Sequence, residues 1–195
     1  MNNISNISVF CASSSVINKE YFQAATTLGK ILGEHKLHVI NGAGRMGLMR
    51  AIADSTMEAG GEAIGIIPQF MMDNGWGYDK MTHLEVVESM HERKQRMADL
   101  SDGTIALPGG CGTMEELLEV ITWKQLGLYP KPIVILNTLN YFNPLLEMLK
   151  RGIDEQFMRP LHAQMWSAAS TPEEAYEMLL NQPEWPKNYN KYAKI

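Results

Sequence analysis

The segment Pro108-Gly109-Gly110-Cys111-Gly112-Thr113 runs into Met114-Glu115-Glu116. It brings glycines, a hydroxyl and carboxylates into one short stretch. Glycines let backbone N–H groups turn toward an anion, and a helix that starts there adds the positive end of its dipole. Thr113 adds a hydroxyl donor. The triphosphate-loop pattern GxxxxGK[ST] is absent, so a monophosphate suits this turn better than a nucleoside triphosphate. Glu116 has two readings. It is a carboxylate placed beside a bound anion, or the last member of a capping box running from Thr113 to Glu116. The same pattern recurs at Ser89–Glu92 and Thr171–Glu174, and spacing alone favours capping.

Arg93 bears on that choice. At 100° per residue, Met90, Met97 and Leu100 form one narrow apolar stripe with Arg93 in its middle, while Glu92, Gln95, Arg96 and Asp99 fall opposite. An inward arginine is costly unless it meets a carboxylate or phosphate; otherwise it must snorkel to solvent. The apolar run 103–108 links this helix to the glycine turn, so Arg93 and Glu116 are expected to meet near one edge of a sheet.

The elements that position these residues alternate. Strands are predicted at 6–13, 37–42, 62–68, 83–87, 103–108 and 132–137, and helices near 18–34, 47–59, 89–99, 113–127, 143–157 and 172–181. This alternation predicts an α/β fold, a Rossmann-like doubly wound parallel sheet with helices on both faces. The runs "IGII" and "IVIL" are continuously apolar, as strands buried on both faces require. One domain over residues 1–181 is expected, followed by a tail, 182–195, on the surface or against a neighbouring subunit. Ligands of such sheets bind beyond the carboxyl ends of the strands. The segments 11–15, 41–47 and 108–113, all rich in small residues, have that placement.

Gly42 to Gly47 also fits GxGxxG, but the next strand ends "IIPQF" without the acid that a dinucleotide ribose needs. A tight turn packing the following helix is the expected role, with ligand contact left open. Met114, Leu117, Leu118 and Ile121 are predicted as a core stripe, Asn143-Pro144 as a helix cap and first residue, and His91 as a surface polar residue. The loop 71–80, with Trp76 and Tyr78, is either a lid or a long surface connection.

Composition narrows the function. The chain has 195 residues, a formal net charge of −5 and ordinary apolar content, which fits a globular protein and not a nucleic-acid binder. The N-terminal stretch shows neither a basic leader nor a long apolar run, so no membrane association and a cytoplasmic location are expected. Two widely spaced cysteines fit a reducing compartment, and the five histidines form no metal-binding pair. No cofactor or metal is expected.

Two long motifs, "SMHERKQRM" and "ALPGGCGTMEELLEV", resemble the MHxRK and PGGxGTxxE signatures of the Lonely Guy (LOG) family, phosphoribohydrolases once labelled lysine decarboxylases. "VFCASSS", "NGAGRMGLM" and "TWKQLGLYPKPIVILN" resemble further family segments, with departures at Ala12, Ala43, Arg50 and Cys111. The resemblance implies a homodimer that hydrolyses the N-glycosidic bond of AMP or of a cytokinin riboside 5′-monophosphate. It implies Arg93 and Glu116 as the catalytic pair, with Lys94 beside them. Gly110, Cys111, Gly112 and Thr113 would hold the phosphate, and the implied substrate-contacting set also takes in Ser13, Gly44, Gly109, Met114, Glu115 and Thr122. The alternatives are an AMP nucleosidase with no cytokinin preference and a nucleotide-binding module without turnover.

Overall fold

A computed structural model of the chain describes residues 4–183 and 185. Seven strands, β1 (Asn6–Phe10), β2 (His38–Asn41), β3 (Ala63–Pro68), β4 (His83–Val87), β5 (Gly103–Ala106), β6 (Ile133–Leu136) and β7 (Ser167–Ala169), form one sheet in the order β4-β3-β2-β1-β5-β6-β7. Every pairing is parallel. Alternate strand residues feed two cores. Ile7, Val9, Val39, Ile105, Val134 and Leu136 face helices α1 (Lys19–Glu34), α2 (Gly47–Glu58) and α7 (Pro172–Asn181). Phe10, Ile40, Ile66, Ala106, Ile133 and Ile135 face α4 (Met90–Leu100), α5 (Cys111–Gln125) and α6 (Asn143–Asp154). The strand order reverses between β1 and β5, and that switch point opens a crevice at the carboxyl edge.

β1 and β5 end earlier than predicted, because Cys11–Ser13 and Leu107–Pro108 leave the sheet at its carboxyl edge. One strand and one α-helix were not anticipated, nor were two short 3-10 turns at Thr138–Asn140 and Pro160–Gln164. β7 is an edge strand of small residues, and α3 (Gln69–Asp73) is a single short helix after β3. The tail prediction needs correcting at its start. Gln182 accepts a hydrogen bond from Ile133 N–H at 2.8 Å and donates to Ser167 Oγ at 3.1 Å, and Trp185 is 4% exposed against the second core. Both lie against this chain's own body; residues 186–195 lie outside the described residues.

Beneath that segment Lys124 is buried, its ammonium donating to Lys131 O at 2.8 Å and Gln182 Oε1 at 3.2 Å. Burial pulls its pKa down to about 8 from 10.5. Between those two values the unfolded chain holds the proton more tightly, so this group adds stability as pH rises through that window and costs stability below it. At 1.36 kcal/mol per unit, the cost at pH 7 is about 3 kcal/mol. Lys124→Met forfeits two hydrogen bonds at about 1 kcal/mol each. Relative to the parent, the variant is therefore expected to gain stability, on the order of 3 kcal/mol, as pH falls from 10.5 to 7, as urea unfolding at both pH values will show.

Candidate active site

Helix α5 begins two residues before the predicted start. Gly110 is its N-cap, without any side-chain cap, and Cys111, Gly112 and Thr113 form its first turn. Thr113 is therefore inside the helix and caps nothing, and Glu116 sits too deep to reach the cap. The capping reading of Glu116 fails, whereas Ser89 and Thr171 do cap α4 and α7 by accepting from the N–H groups of Glu92 and Glu174. First-turn N–H groups have no acceptor within their own helix, and Gly110, Gly112 and Thr113 at this end of α5 line the crevice.

Arg93 projects inward from α4, 4% exposed. Its Nη1 donates to Glu116 Oε1 at 3.0 Å, with side-chain exposures of 5% and 8%, and its Nε donates to Ile66 O at 3.1 Å. The inward-facing prediction for Arg93 is correct, and the carboxylate it meets is the expected one. Burial pushes the Glu116 carboxyl above its ordinary range, and the Arg93 charge opposes that rise. Cys11 lines the same space with its thiol pushed up by burial and by Glu116, so it stays protonated.

Gly42 makes this arrangement possible. A Cβ there would lie 1.6 Å from Arg93 Nη2. Gly42→Ala is expected to expel the guanidinium from Glu116 and cut turnover about as far as removing Arg93 does, on the order of 10²-fold, since loss of one positioned charge costs that much. Parallel assays of Gly42→Ala and Arg93→Ala check it. Gly47, at φ +64°, begins α2 against Ser13, where a Cβ would meet backbone at 2.4 Å. The glycine run 42–47 is thus a packing turn that also lines the crevice through Gly42 and Gly44.

The cavity has a volume of about 490 Å³. Of the predicted residues it brings together Ser13, Gly44, Arg93, Gly110, Gly112, Thr113, Glu115 and Glu116. The others lie outside its lining. Gly109 packs under Thr113 and its carbonyl accepts from Tyr141 Oη at 2.6 Å. Lys94 gives its ammonium to Glu115 at 2.5 Å and Glu119 at 3.0 Å, an arrangement whose hydrogen bonds raise its pKa against the opposing effect of burial. Cys111 is exposed, and Thr122, also exposed, donates to Leu118 O at 2.8 Å within its own helix. Met114 is half-buried, and Leu118, predicted for the core, is 38% exposed; Val120 takes its place inside.

Ala12, Arg45, Met46, Met49, Met71, Met90 and Trp76 line the remainder of the cavity. Sequence reasoning missed the methionines, because methionine at helical spacing reads as core. Trp76 borders the cavity, while Tyr78 is buried and bonded to Asp54. His91 is exposed, as predicted.

Known proteins place the chain in a family. A family model described as "Possible lysine decarboxylase" matches residues 49–179. A cytokinin riboside 5′-monophosphate phosphoribohydrolase of Arabidopsis thaliana is 41% identical over 173 residues, covering 89% of this chain and 76% of the relative. One from Rhodococcoides fascians is 40% identical over 156 residues, covering 80% and 79%. The chain belongs to the LOG family. Among solved structures, the molybdenum cofactor carrier protein of Chlamydomonas reinhardtii superposes with a TM-score of 0.72 at 20% identity, covering 92% of this chain and 98% of that one. The molybdenum cofactor binding protein of Rippkaea orientalis gives 0.69 at 20%, covering 92% and 98%. These two show the fold.

The departures of this LOG chain from the family pattern are absorbed locally. Ala43 adopts φ 53°, held by its N–H donating to Asn41 Oδ1 at 2.8 Å. Ala12 donates its N–H to Pro108 O at 3.2 Å and its carbonyl accepts from Leu48 N–H at 2.9 Å, tying the first loop to both the glycine turn and α2. Arg50 pairs with Asp54 at 3.2 Å and covers the Tyr78 ring.

Proposed function

We propose that this chain hydrolyses the N-glycosidic bond of a nucleoside 5′-monophosphate, AMP or a cytokinin riboside 5′-monophosphate, giving free base and ribose 5-phosphate. The observation that carries the reading is the buried Arg93–Glu116 pair, 3.0 Å apart, on a cavity that also receives the open first turn of α5. Sequence similarity to named phosphoribohydrolases supports it.

In this reading the phosphate rests on the N–H groups of Cys111, Gly112 and Thr113 and on the Thr113 hydroxyl. Binding there fixes the ribose so that C1′ lies beside Glu116. As the C1′–N bond breaks, positive charge builds on the sugar, and the Glu116 carboxylate stabilises it in a site of low dielectric. A water oxygen then bonds to C1′ and passes its proton to Glu116, while the departing base nitrogen takes up a proton in turn. Arg93 holds Glu116 in place and keeps a share of it ionised despite burial. Ser13, Gly44 and Glu115 border the sugar and phosphate.

The working assembly is a homodimer in the cytoplasm. Along the outer side of α5, Met114, Leu118, Thr122 and Leu126 form a row at four-residue spacing, with Leu118 38% and Leu126 43% exposed. Exposed apolar side chains in such a row suit a contact with a second copy of the chain. On this surface Lys94 and Thr122 act through the partner interface, not through the cavity of their own subunit. Sedimentation velocity gives the assembly size.

Chromatography of products after incubation with AMP, N6-isopentenyl-AMP and adenosine tests the activity. Free base and ribose 5-phosphate are expected from the nucleotides, with adenosine cleaved poorly because it lacks the group that anchors the sugar. Nucleotide binding without release of base would make the chain a binding module instead, and turnover of AMP alone would make it a plain AMP nucleosidase. A lysine decarboxylase needs an amine within reach of its cofactor, and among the described residues no lysine lines the cavity. Lys124 has a lowered pKa but sits 13 residues along α5 from Cys111, about 20 Å away.

A further inference from the structure

We infer that Tyr141 is a positioning residue for the anion site, and that the donor it positions is the Gly110 N–H at the cap of α5. The inference deepens the hydrolase reading above and rests on it for the identity of the anion, the 5′-phosphate of the substrate.

The glycine turn after β5 is held through two consecutive carbonyls. Pro108 O accepts from Ala12 N–H at 3.2 Å, and Gly109 O accepts from the Tyr141 hydroxyl at 2.6 Å. The described residues hold no cis peptide, and in a planar trans peptide the C=O and N–H point in opposite directions. Fixing Gly109 O against Tyr141 therefore aims the Gly110 N–H away from Tyr141. Gly110 lines the cavity and Tyr141 does not, so that N–H is turned to the cavity side of the turn. Among the described residues nothing accepts from it. It joins the N–H groups of the first turn of α5 as a donor open to an anion.

The hydroxyl is needed because the turn is otherwise free to rotate at this peptide. Glycine on both sides lets the plane between Gly109 and Gly110 turn over, which would put a carbonyl, not an N–H, before the phosphate. Translation is blocked already. A Cβ on Gly109 would lie 2.1 Å from Thr113 Oγ1 and 3.0 Å from Ala12 N. The remaining motion is the flip, and the Tyr141 hydroxyl opposes it.

The backbone is strained to present this side chain. Tyr141 follows the 3-10 turn in which Leu139 and Asn140 stand at φ 54° and 59°. Successive non-glycine residues in the left-handed region persist only where their surroundings fix them, and such strain gathers at functional sites. Asn137 does the fixing here. Its N–H donates to Ala169 O at 2.8 Å and its carbonyl accepts from Asn140 N–H at 3.0 Å. Its side chain accepts from Phe142 N–H at 2.7 Å and donates to Asn143 Oδ1 at 2.8 Å. Phe142 is buried in the second core. The Tyr141 ring meets Tyr21 of α1 and Phe142 edge-on, with centroids 6.0 and 5.1 Å away.

The test compares the parent, Tyr141→Phe and Tyr141→Leu. Calorimetry gives Kd for AMP and for adenosine in the Glu116→Gln background, so that AMP persists, and base release is followed with Glu116 in place. Tyr141→Phe keeps the ring and loses the hydroxyl. It is expected to weaken AMP roughly five- to tenfold, the scale of one misaligned hydrogen bond to a charged group, while adenosine, lacking the phosphate, stays within about twofold. Tyr141→Leu should weaken AMP to a similar extent. Equal losses on both ligands mark a structural tie and overturn the inference, as does a loss confined to Tyr141→Leu, which assigns the role to ring packing. If the parent cleaves AMP and Tyr141→Phe binds it as the parent does, the inference falls and the hydrolase reading stands. If no protein releases base while the AMP-specific loss follows the hydroxyl, the hydrolase reading falls and Tyr141 keeps its role.

Discussion

Glu116→Gln is expected to lower kcat by roughly 10²–10⁴-fold, the range for removing a positioned acid–base group, while KM for the nucleotide shifts by no more than a few-fold. The carboxamide keeps the shape of the side chain and an oxygen to accept from Arg93 Nη1, which now lies 3.0 Å from Glu116 Oε1. The contacts proposed for the phosphate, at the first turn of α5, are untouched. What disappears is the negative charge facing C1′ and the acceptor for a water proton, both of which matter only as the bond breaks. The parent enzyme should show the matching pH dependence. Burial raises the Glu116 carboxyl above its ordinary 4.5. Below the raised value the group is protonated and neither stabilises positive charge nor takes a proton. Activity therefore climbs as pH rises through that value and levels off above it. Steady-state assays of both proteins, with circular dichroism to confirm the fold, check these expectations.

Arg93→Met should be the most damaging single change to stability, on the order of 3–5 kcal/mol at neutral pH, because it leaves a buried carboxylate without its partner. Arg93 occupies space that Gly42 leaves open and ties α4 to β3 and α5 at once. Without it, nothing offsets desolvation of Glu116, and the carboxyl pKa moves further up. A group whose folded pKa is raised contributes stability that is fully present below 4.5, its unfolded value, and lost as pH rises through the folded value. The deficit of Arg93→Met should therefore shrink on acidification from neutrality toward pH 5. Adding Glu116→Leu should restore most of the stability at neutral pH while leaving the protein inactive. Urea unfolding of the single and double variants at two pH values measures both effects.

Much of this molecule was legible because its physics is local. Runs such as Ile133–Leu136 are apolar on both faces, and only a sheet covered by helices accommodates several of them. Arg93 could be placed because one charged residue interrupted a helical apolar stripe. β7 escaped because Ser167–Ala169 has no apolar run and pairs only at the edge. The start of α5 was misplaced because a glycine cap has no side chain to announce it, and that error created the false capping box at Thr113. Asn143 and Pro144 proved to be the first two helical residues after a Phe142 cap, for a similar reason. The methionine wall was invisible, since the same side chains at the same spacing serve equally well in a core. Only the three-dimensional path of the loop after β3 brings Trp76 into the lining of the same cavity as the glycine turn of a distant strand.

The most direct test of the account is a crystal structure of Glu116→Gln with AMP bound. The account predicts the phosphate on the N–H groups of residues 111–113 and C1′ within about 3–4 Å of the carboxamide introduced at position 116, a near-attack distance. A phosphate seated elsewhere, or a C1′ remote from position 116 and from Arg93, would contradict it.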